Sequence, residues 1–492
     1  HTSSSWVTGV QTCALPILMI SNYVLDWGKD PHIPVVIASA VAMIIGKICG
    51  WSYKDMLAGA LDSVSMSLEA IIIILFVGCL IGSFEYAGTI PAVVYYGLNI
   101  VTPQMFLPLA CILCAVVGIA LGSAWTVSAT LGIAFMAMGS TMGMNPGLVA
   151  GMVLSGACCG DKFSPLSDST NLAAGASQTG LFDHVRAMVT TTFPSLIIAI
   201  IIYAILSIQS SHNYDPRVAE GLQDAIVKHY DYMSPVLLLP MVLIVVVAVK
   251  RMPAIPAVLL LSAIGCVFAV IFQKANFADC IQMTHYGYTA KTGNDLADKL
   301  MNRGGMDAML WTNNLVIVAV AFGGILQKIG VVESLLGHLI KRVKTPFQLV
   351  FVTMITGIFC ITTMCDQYLG LIIPSSMYKT KFDELGLARN MLSRTLEDGG
   401  TLWSPLVPWS SCGAYHSSTL GVSTLSYLPF CFMNLINPIY ALVTASLGLN
   451  ILYADGSYTT IFKRLKKGRV PGAPEEAQKV AFAALKKIRG EA

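Results

Sequence analysis

Long apolar runs separated by short polar connections dominate the pattern of this chain. A helix needs roughly 20 mostly apolar residues to cross a bilayer, so the pattern predicts membrane-spanning helices. The clearest runs lie near residues 33–50, 68–83, 105–121, 190–208, 234–249, 254–272, 313–326, 347–364 and 428–449.

A second set of apolar runs is shorter and is interrupted by glycine, serine or proline. Non-helical backbone is tolerated at membrane depth only where protein or a water-filled cavity satisfies its hydrogen bonds. We therefore predict an all-α polytopic membrane protein with about 10–12 transmembrane helices, some of them broken helices or re-entrant hairpins. The interrupted runs lie near 86–101, 125–142, 147–160, 366–378 and 400–421.

The composition excludes a soluble globular protein. Of 492 residues, 55% are apolar and only 12% are charged, whereas soluble domains carry about 25% charged residues. The net charge of +3 gives no sign of nucleic-acid binding. The 13 cysteines lie mostly in apolar runs, which is typical of small buried hydrophobic residues rather than of a disulfide framework.

Two polar connections and two unusual ends divide the chain. The basic stretch near the C-terminus predicts a cytoplasmic tail. We expect a non-native leader at 1–18, an N-terminal transmembrane repeat at 19–208, a polar linker at 209–232, a C-terminal transmembrane repeat at 233–452 with a polar loop at 274–307, and a basic cytoplasmic tail at 453–492.

The two halves share short features in the same order. The tripeptide Ser-Pro-Leu occurs at 164–166 and again at 404–406, and each copy follows an aspartate. A pair of glycines that closes an apolar run also recurs at nearly the same offset. Paired interrupted segments in two halves are the best sequence indication of a transporter's binding site.

Carboxylates and hydroxyls are concentrated in the stretch 160–171. Hard cations prefer carboxylate, hydroxyl, amide and carbonyl oxygens, and this stretch supplies all of these. A solvated loop that caps the next helix explains the same residues equally well, so both readings stay open. The candidate cation- or proton-binding residues are Asp161, Ser164, Asp168, Ser169, Thr170 and Asn171.

The stretch 395–419 offers similar chemistry from the second half, with Asp398, Thr401 and Ser404 as candidates. Two uses are open for Glu397: it belongs to the site, or it only pairs with Arg394. We favour the ion pair, because a charged side chain at bilayer depth persists only when it is paired, hydrated or ion-bound.

Asp366 follows one apolar run and precedes another. Three uses are open for it: a cation ligand, a proton carrier, or a partner of Lys379 or Lys381. If Asp366 or Asp168 carries protons, Na⁺ and H⁺ compete for the same oxygens, which is the minimal mechanism of exchange.

Other polar residues in apolar surroundings are explained by packing at least as well as by function. The small polar residues at 122–130 fit close helix packing as well as ion ligation. Glu69 and Glu85 are interpreted as membrane-interface residues, and His184 and His416 as packed, hydrogen-bonded histidines.

Enzyme motifs are absent from the sequence. It contains no HExxH, Walker A or GxGxxG motif, which are the marks of zinc peptidases, nucleotide hydrolases and dinucleotide-binding enzymes. An intramembrane enzyme is therefore the weakest alternative, and we expect no cofactor. Without a nucleotide site, transport must be driven by ion gradients.

Several long motifs resemble the NhaC-type Na⁺/H⁺ antiporter family of the ion transporter superfamily. The resemblance covers about residues 30–450 and is carried by 78–97 (GCLIGSFEYAGTIPAVVYYG), 122–133 (GSAWTVSATLGI), 160–186 (GDKFSPLSDSTNLAAGASQTGLFDHVR), 366–369 (DQYL), 393–413 (SRTLEDGGTLWSPLVPWSSCG), 419–421 (TLG) and Asn437-Pro438.

The resemblance implies two inverted repeats whose re-entrant hairpins meet near the membrane midplane, with elevator-like motion. It implies Na⁺/H⁺ exchange across the cytoplasmic membrane, with Na⁺ at Asp168, Thr170, Asn171 and Asp366. The family also includes sodium-lactate/malate-proton antiporters, so a small carboxylate remains an alternative substrate. A basic residue that faces the site would favour such a substrate. Lys162 is the one nearby candidate, and the alternative for it is an ion pair with Asp161.

The expected partners are therefore Na⁺, H⁺ and the lipid bilayer, without nucleic acid. A small carboxylate and a homodimer are left open. A passive channel is a further alternative within transport.

Overall fold

The computed structural model of this chain describes residues 32–211, 214–250, 252–331, 340 and 342–459. The expected leader and the basic stretch at 463–469 lie outside these residues. Within them the chain is helical, and its only β structure is two isolated bridges, Leu387 with Tyr453 and Leu452 with Tyr458.

The first half consists of helices joined by short turns, followed by a helix in the linker. Proline occupies the first turn of several of these helices, where its missing N–H costs nothing. Their bounds are His32–Ile48, Tyr53–Met66, Leu68–Tyr86, Thr89–Ile100, Pro103–Leu121, Ala124–Val127, Ile133–Thr141, Pro146–Phe163, Asp168–Ser177, Leu181–Ser210 and Pro216–His229, with a π-helical turn at Ser128–Gly132.

The second half repeats this mixture of long and short helices. Its α-helices are Leu239–Val249, Ala254–Phe272, Phe277–Tyr286, Asp295–Met301, Leu310–Lys328, Pro346–Met364, Leu369–Glu384, Arg389–Leu396, Ser411–Leu420, Thr424–Tyr427 and Phe432–Ser446. The 3₁₀ turns are Pro235–Leu238, Asp307–Met309, Ser404–Leu406 and Leu428–Phe430, and a second π-helical turn spans Glu397–Thr401.

The polytopic all-α architecture is confirmed. In the described part of the chain, six helices are long and apolar enough to cross a membrane, or up to seven if a pair bent by 54° at residue 431 counts as one span. This number is below the expected 10–12, because many apolar runs are divided into shorter helices. The inverted relation of the two halves stays a prediction.

Leu181–Ser210 illustrates how a membrane helix is patterned. Its exposed positions are large and apolar, as at Val189, Phe193, Ile197, Ile201 and Ile205, so this face suits lipid. The opposite face is buried and contains many small or polar side chains. The Ser195 and Ser207 hydroxyls donate to backbone carbonyls inside the protein. This distribution reverses that of a soluble helix, because hydrocarbon rather than water surrounds the molecule.

Pro146–Phe163 lies at the centre of the molecule. All of its residues from Gly147 to Lys162 are buried. Its glycines allow Pro103–Leu121 to approach closely: a Cβ atom on Gly160 would lie 2.6 Å from the Cα atom of Gly118. Small residues at a helix crossing of this kind are typical of membrane proteins, and the crossing fixes the helix end that contains Asp161 and Lys162.

The two polar connections contain helices of their own. The linker at 209–232 contains Pro216–His229, and the loop at 274–307 contains Phe277–Tyr286 and Asp295–Met301. The loop docks on the first half, since the Gly305 amide donates to the Gly78 carbonyl at 2.7 Å.

Candidate functional site

Two helices are interrupted where the sequence places Ser-Pro-Leu. The first interrupted segment (146–177) leaves the helical path at Ser164–Ser167 and resumes at Asp168. Ser167 caps the second helix, because its Oγ accepts the Thr170 amide at 3.4 Å. Serine is a preferred N-cap residue for this reason.

The second interrupted segment (389–420) is built differently but ends in the same way. A π-helical turn at Glu397–Thr401 is followed by the Ser404–Leu406 turn and then by a ten-residue helix. Ser410 caps this helix by accepting the Gly413 amide at 2.9 Å, and its hydroxyl donates to the Ser404 carbonyl at 2.6 Å. Each half therefore presents the N-terminus of a short helix.

A cavity of about 830 Å³ lies between the two interrupted segments. Its polar walls come from both segments and from residues near 66–69, 121–126 and 366–368, and residues between 244 and 261 add an apolar wall. A volume of this order is typical of a ligand-binding cavity.

The charged side chains that line the cavity are all acidic. They are Glu69, Asp161, Asp168 and Asp366, and among the described residues no lysine or arginine belongs to the lining. A carboxylate at membrane depth is costly unless a cation or proton accompanies it. The lining therefore has the chemistry of a site for positive charge.

The structure brings most of the predicted site residues to this cavity. Six of them line it: Asp161, Asp168, Ser169, Asn171, Asp366 and Thr401. The other four are buried outside the lining: Ser164, Thr170, Asp398 and Ser404.

Thr170 and Asn171 have local structural contacts. The Thr170 hydroxyl donates to the carbonyls of Asp161 and Lys162, each at 3.3 Å. The Asn171 amide donates to the carbonyls of Pro165 and Ser167 at 3.0 and 2.8 Å. These bonds use N–H and O–H groups, so the Asn171 side-chain oxygen at the cavity wall keeps its capacity as a ligand.

Asp366 has a capping role besides facing the cavity. Its Oδ1 accepts the amides of Tyr368 and Leu369 at 2.8 and 3.1 Å, and its Oδ2 accepts the Ser67 hydroxyl at 3.4 Å. Lys381 pairs instead with Glu384 at 2.9 Å.

Two substitutions of Asp366 separate its charge from its capping role. Asp366→Asn keeps a capping oxygen, so we expect nearly unchanged thermal stability but sodium-driven proton flux at least about tenfold slower. Asp366→Ala also loses the cap, which adds a destabilisation of about 0.5–2 kcal/mol. Unfolding in detergent and flux in proteoliposomes measure the two effects, and normal flux in Asp366→Asn would restrict Asp366 to the capping role.

Lys162 forms a buried ion pair across the two halves. Its Nζ lies 2.6 Å from the Asp398 Oδ1, and both side chains are almost fully buried. Asp398 Oδ1 also accepts the Thr191 hydroxyl at 3.2 Å and the Asn437 amide at 2.7 Å. The interpretation of Lys162 as the partner of Asp161 is therefore wrong.

The interpretation of Glu397 as the partner of Arg394 is also wrong. The Arg394 Nε lies 3.9 Å from the Asp398 Oδ2, and its Nη1 donates to the Thr190 hydroxyl and the Asn450 carbonyl, each at 3.0 Å. Glu397 and Asp398 follow Arg394 by three and four positions, and both spacings place a residue on the same helical face. Spacing alone therefore did not decide which of the two carboxylates contacts Arg394.

The sequence interpretations of the two histidines and of the two glutamates compare differently with the structure. The His184 Nδ1 contacts the Ser393 hydroxyl at 2.7 Å, which fits a packed histidine. His416 lines the cavity, and its Nδ1 has no hydrogen-bond partner. Glu69 also lines the cavity, whereas Glu85 is fully buried and its carboxylate oxygens accept no hydrogen bond.

Sequence reasoning missed two polar residues that hydrogen-bond to Asp398. Thr191 and Asn437 were not connected with Asp398, although Asn437 precedes a proline inside the helix Phe432–Ser446, which marks it as unusual. Among the described residues, no group of three or more His, Cys, Asp or Glu side chains converges as a metal site. Carboxylates and hydroxyls in smaller numbers still suit a transported alkali cation.

Comparison with known proteins relates the chain to membrane antiporters. A family model described as the Na⁺/H⁺ antiporter family matches residues 156–449, more than half of the chain. The chain is 33% identical over 438 residues to the Na⁺/H⁺ antiporter NhaC of Alkalihalophilus pseudofirmus, covering 89% of this chain and 94% of that protein.

Two further relatives have other substrates in their names. The malate-2H⁺/Na⁺-lactate antiporter of Bacillus subtilis is 35% identical over 414 residues, 84% of this chain and 86% of that protein. The arginine/ornithine antiporter ArcD of Halobacterium salinarum is 36% identical over 436 residues, 87% of this chain and 89% of that protein. The family match and the near full-length similarity, together with the helical membrane fold, lead to one conclusion: this chain belongs to the Na⁺/H⁺ antiporter family.

Proposed function

We propose that this protein is a secondary antiporter that exchanges Na⁺ for H⁺ across the cytoplasmic membrane. The observation that carries the proposal is the cavity between the interrupted segments, whose charged lining consists of four carboxylates. Positive charge is what such a lining binds most favourably, and Na⁺ and H⁺ are the cargo in the name of the first relative.

Exchange follows from competition for the same oxygens. Asp161, Asp168 and Asp366 offer carboxylates to the cavity, and Ser169 and Thr401 offer hydroxyls. A carboxylate that binds a proton loses its affinity for Na⁺, and a bound Na⁺ displaces the proton. Each transport cycle then carries one kind of cation in each direction.

The membrane potential contributes to the driving force if the charge carried by Na⁺ and the charge carried by H⁺ in one cycle are unequal. One elementary charge that crosses 100 mV is worth about 2.3 kcal/mol. An exchanger that moves more protons than sodium ions would therefore use voltage to expel sodium, which serves sodium and pH homeostasis.

Exchange of a small carboxylate is the second candidate function. It is favoured by the relative named as a malate-2H⁺/Na⁺-lactate antiporter and by the two short-helix N-termini at the cavity, since such termini attract anions. The described lining contains no lysine or arginine, and Lys162 is paired with Asp398. Sodium/proton exchange is therefore the better supported candidate.

Proton flux in proteoliposomes tests the proposal. The purified full-length protein is reconstituted with an internal pH dye, and an inward sodium gradient is applied alone. We expect immediate internal alkalinisation, because entry of Na⁺ drives H⁺ out, and no response to choline. Lithium, potassium, malate, lactate, arginine and ornithine are then added in separate runs.

Each result has a distinct meaning. Flux with sodium alone supports a cation/proton antiporter. Flux only after malate or lactate is present overturns the proposal in favour of carboxylate exchange. Sodium entry that ignores an opposing proton gradient indicates a passive channel instead of an exchanger.

A further inference from the structure

Glu397 is a buried carboxylate without a hydrogen-bond partner. It begins the π-helical turn of the second interrupted segment and is 0% exposed. Neither its Oε1 nor its Oε2 accepts a hydrogen bond. An ionised carboxylate in such a position is costly unless a positive charge accompanies it.

The neighbouring basic side chains are already engaged with another carboxylate. Lys162 lies near Glu397 but contacts the Asp398 Oδ1 at 2.6 Å. Arg394 contacts the Asp398 Oδ2 at 3.9 Å and donates its hydrogen bonds elsewhere. Both cations of this cluster therefore have Asp398 as their closest carboxylate, and Glu397 has none of its own.

Polar side chains that line the cavity lie close to Glu397. Thr401 follows it by one turn, lines the cavity, and has a buried hydroxyl without a partner. The Ser169 hydroxyl lies beside both Glu397 and Asp161, and it belongs to the opposite interrupted segment. These four side chains meet where the two halves of the chain face each other.

The chemistry of these carboxylate and hydroxyl oxygens suits a hard cation. Hard cations such as Ca²⁺ hold their oxygen ligands at about 2.3–2.6 Å. The Glu397 carboxylate and the Thr401 hydroxyl belong to the same π-helical turn and are neighbours. Both are buried, so a cation bound beside them would gain a ligand from each.

We propose that Glu397, Thr401, Ser169 and Asp161 form a sodium-binding site at the wall of the cavity, between the two interrupted segments. The proposal rests on the proposed Na⁺/H⁺ exchange and names the residues that take the ion. Formal charges favour a monovalent ion: Lys162 and Arg394 balance two of the carboxylates of Asp161, Glu397 and Asp398. One negative charge remains, which Na⁺ or Li⁺ neutralises and a divalent ion exceeds.

Two measurements on matched variants test the site. Glu397→Gln keeps the shape of the side chain and removes its charge, and Glu384→Gln makes the same change at an exposed position. For Glu397→Gln we expect the sodium concentration at half-maximal proton flux to rise at least about tenfold. We also expect sodium to lose its effect on the melting temperature, because a ligand stabilises only the state that binds it. Glu384→Gln should match the unmodified protein in both measurements.

A second variant keeps the test independent of folding. Thr401→Val preserves the volume and β-branching of the side chain and removes the hydroxyl, so we expect a smaller rise in the half-maximal sodium concentration. If Glu397→Gln does not fold, Thr401→Val decides the test. Normal sodium dependence and normal sodium-induced stabilisation in the folded variants would overturn the site while sodium-driven flux in the unmodified protein keeps the proposed function. Absence of that flux in the unmodified protein would instead contradict the function itself.

Discussion

Lys162→Met is expected to destabilise the folded protein by about 3–5 kcal/mol. The substitution keeps an unbranched side chain of similar length in a fully buried position and removes the positive charge 2.6 Å from Asp398. The Asp398 carboxylate would then be buried without its closest cation, and loss of one partner from a buried ion pair has this large cost.

Unfolding of purified protein in detergent measures the effect. Lys381→Met is the matched control, because the Lys381–Glu384 pair has the same kind of contact at 2.9 Å but is partly exposed and is worth about 0–1 kcal/mol. The double variant Lys162→Met with Asp398→Asn should recover part of the loss, since it no longer buries a lone charge. A single Lys162→Met variant as stable as its control would contradict a structural role for the pair.

Asp161→Asn is expected to slow sodium-driven proton flux by at least about 100-fold, which corresponds to about 2.7 kcal/mol. Asp161 ends the buried central helix and faces the cavity. Asparagine keeps the size of the side chain and its acceptor oxygen, but it carries no charge for Na⁺ and binds no proton at neutral pH. The binding of Na⁺ and the binding of H⁺ therefore both depend on the carboxylate that the substitution removes.

The control for this variant is Asp224→Asn, at an exposed position in the linker helix Pro216–His229. Flux is measured in proteoliposomes at equal protein density, with the pH dye inside. Because the backbone carbonyl of Asp161, and not its side chain, accepts the Thr170 hydroxyl, that local contact survives the substitution. Flux in Asp161→Asn within twofold of the control would remove Asp161 from the proposed mechanism.

The sequence predicted the membrane helices where apolar runs are long and uninterrupted. The run at 347–364 corresponds to Pro346–Met364, and the run at 105–121 corresponds to Pro103–Leu121. Both helices begin with a proline, are mostly apolar and contain no charged residue, so local pattern and burial agree. The linker helix Pro216–His229 was not predicted, although Ala219, Leu222 and Ile226 mark its buried face at helical spacing.

For the site, oxygen-rich composition predicted which stretches meet but not which side chains pair. Asp161, Asp168 and Asp366 were identified from their position beside apolar runs, and all three line one cavity. Lys162 and Asp398 are separated by 236 positions in the chain, so their contact depends on how two distant segments pack. The sequence therefore predicted the neighbouring carboxylate of Asp161 as the partner of Lys162, whereas the packed structure pairs Lys162 with Asp398.

The hydrogen bonds of Asp398 tie together parts of the chain that are remote from one another. Its carboxylate is held by Lys162 from the central helix, by Thr191 from the long lipid-facing helix, and by Asn437 from the helix Phe432–Ser446. A change of shape that exposes the cavity first to one side of the membrane and then to the other would have to move these helices as one body. The hinges of such a motion then lie outside this group, in the connections that join it to the remaining helices.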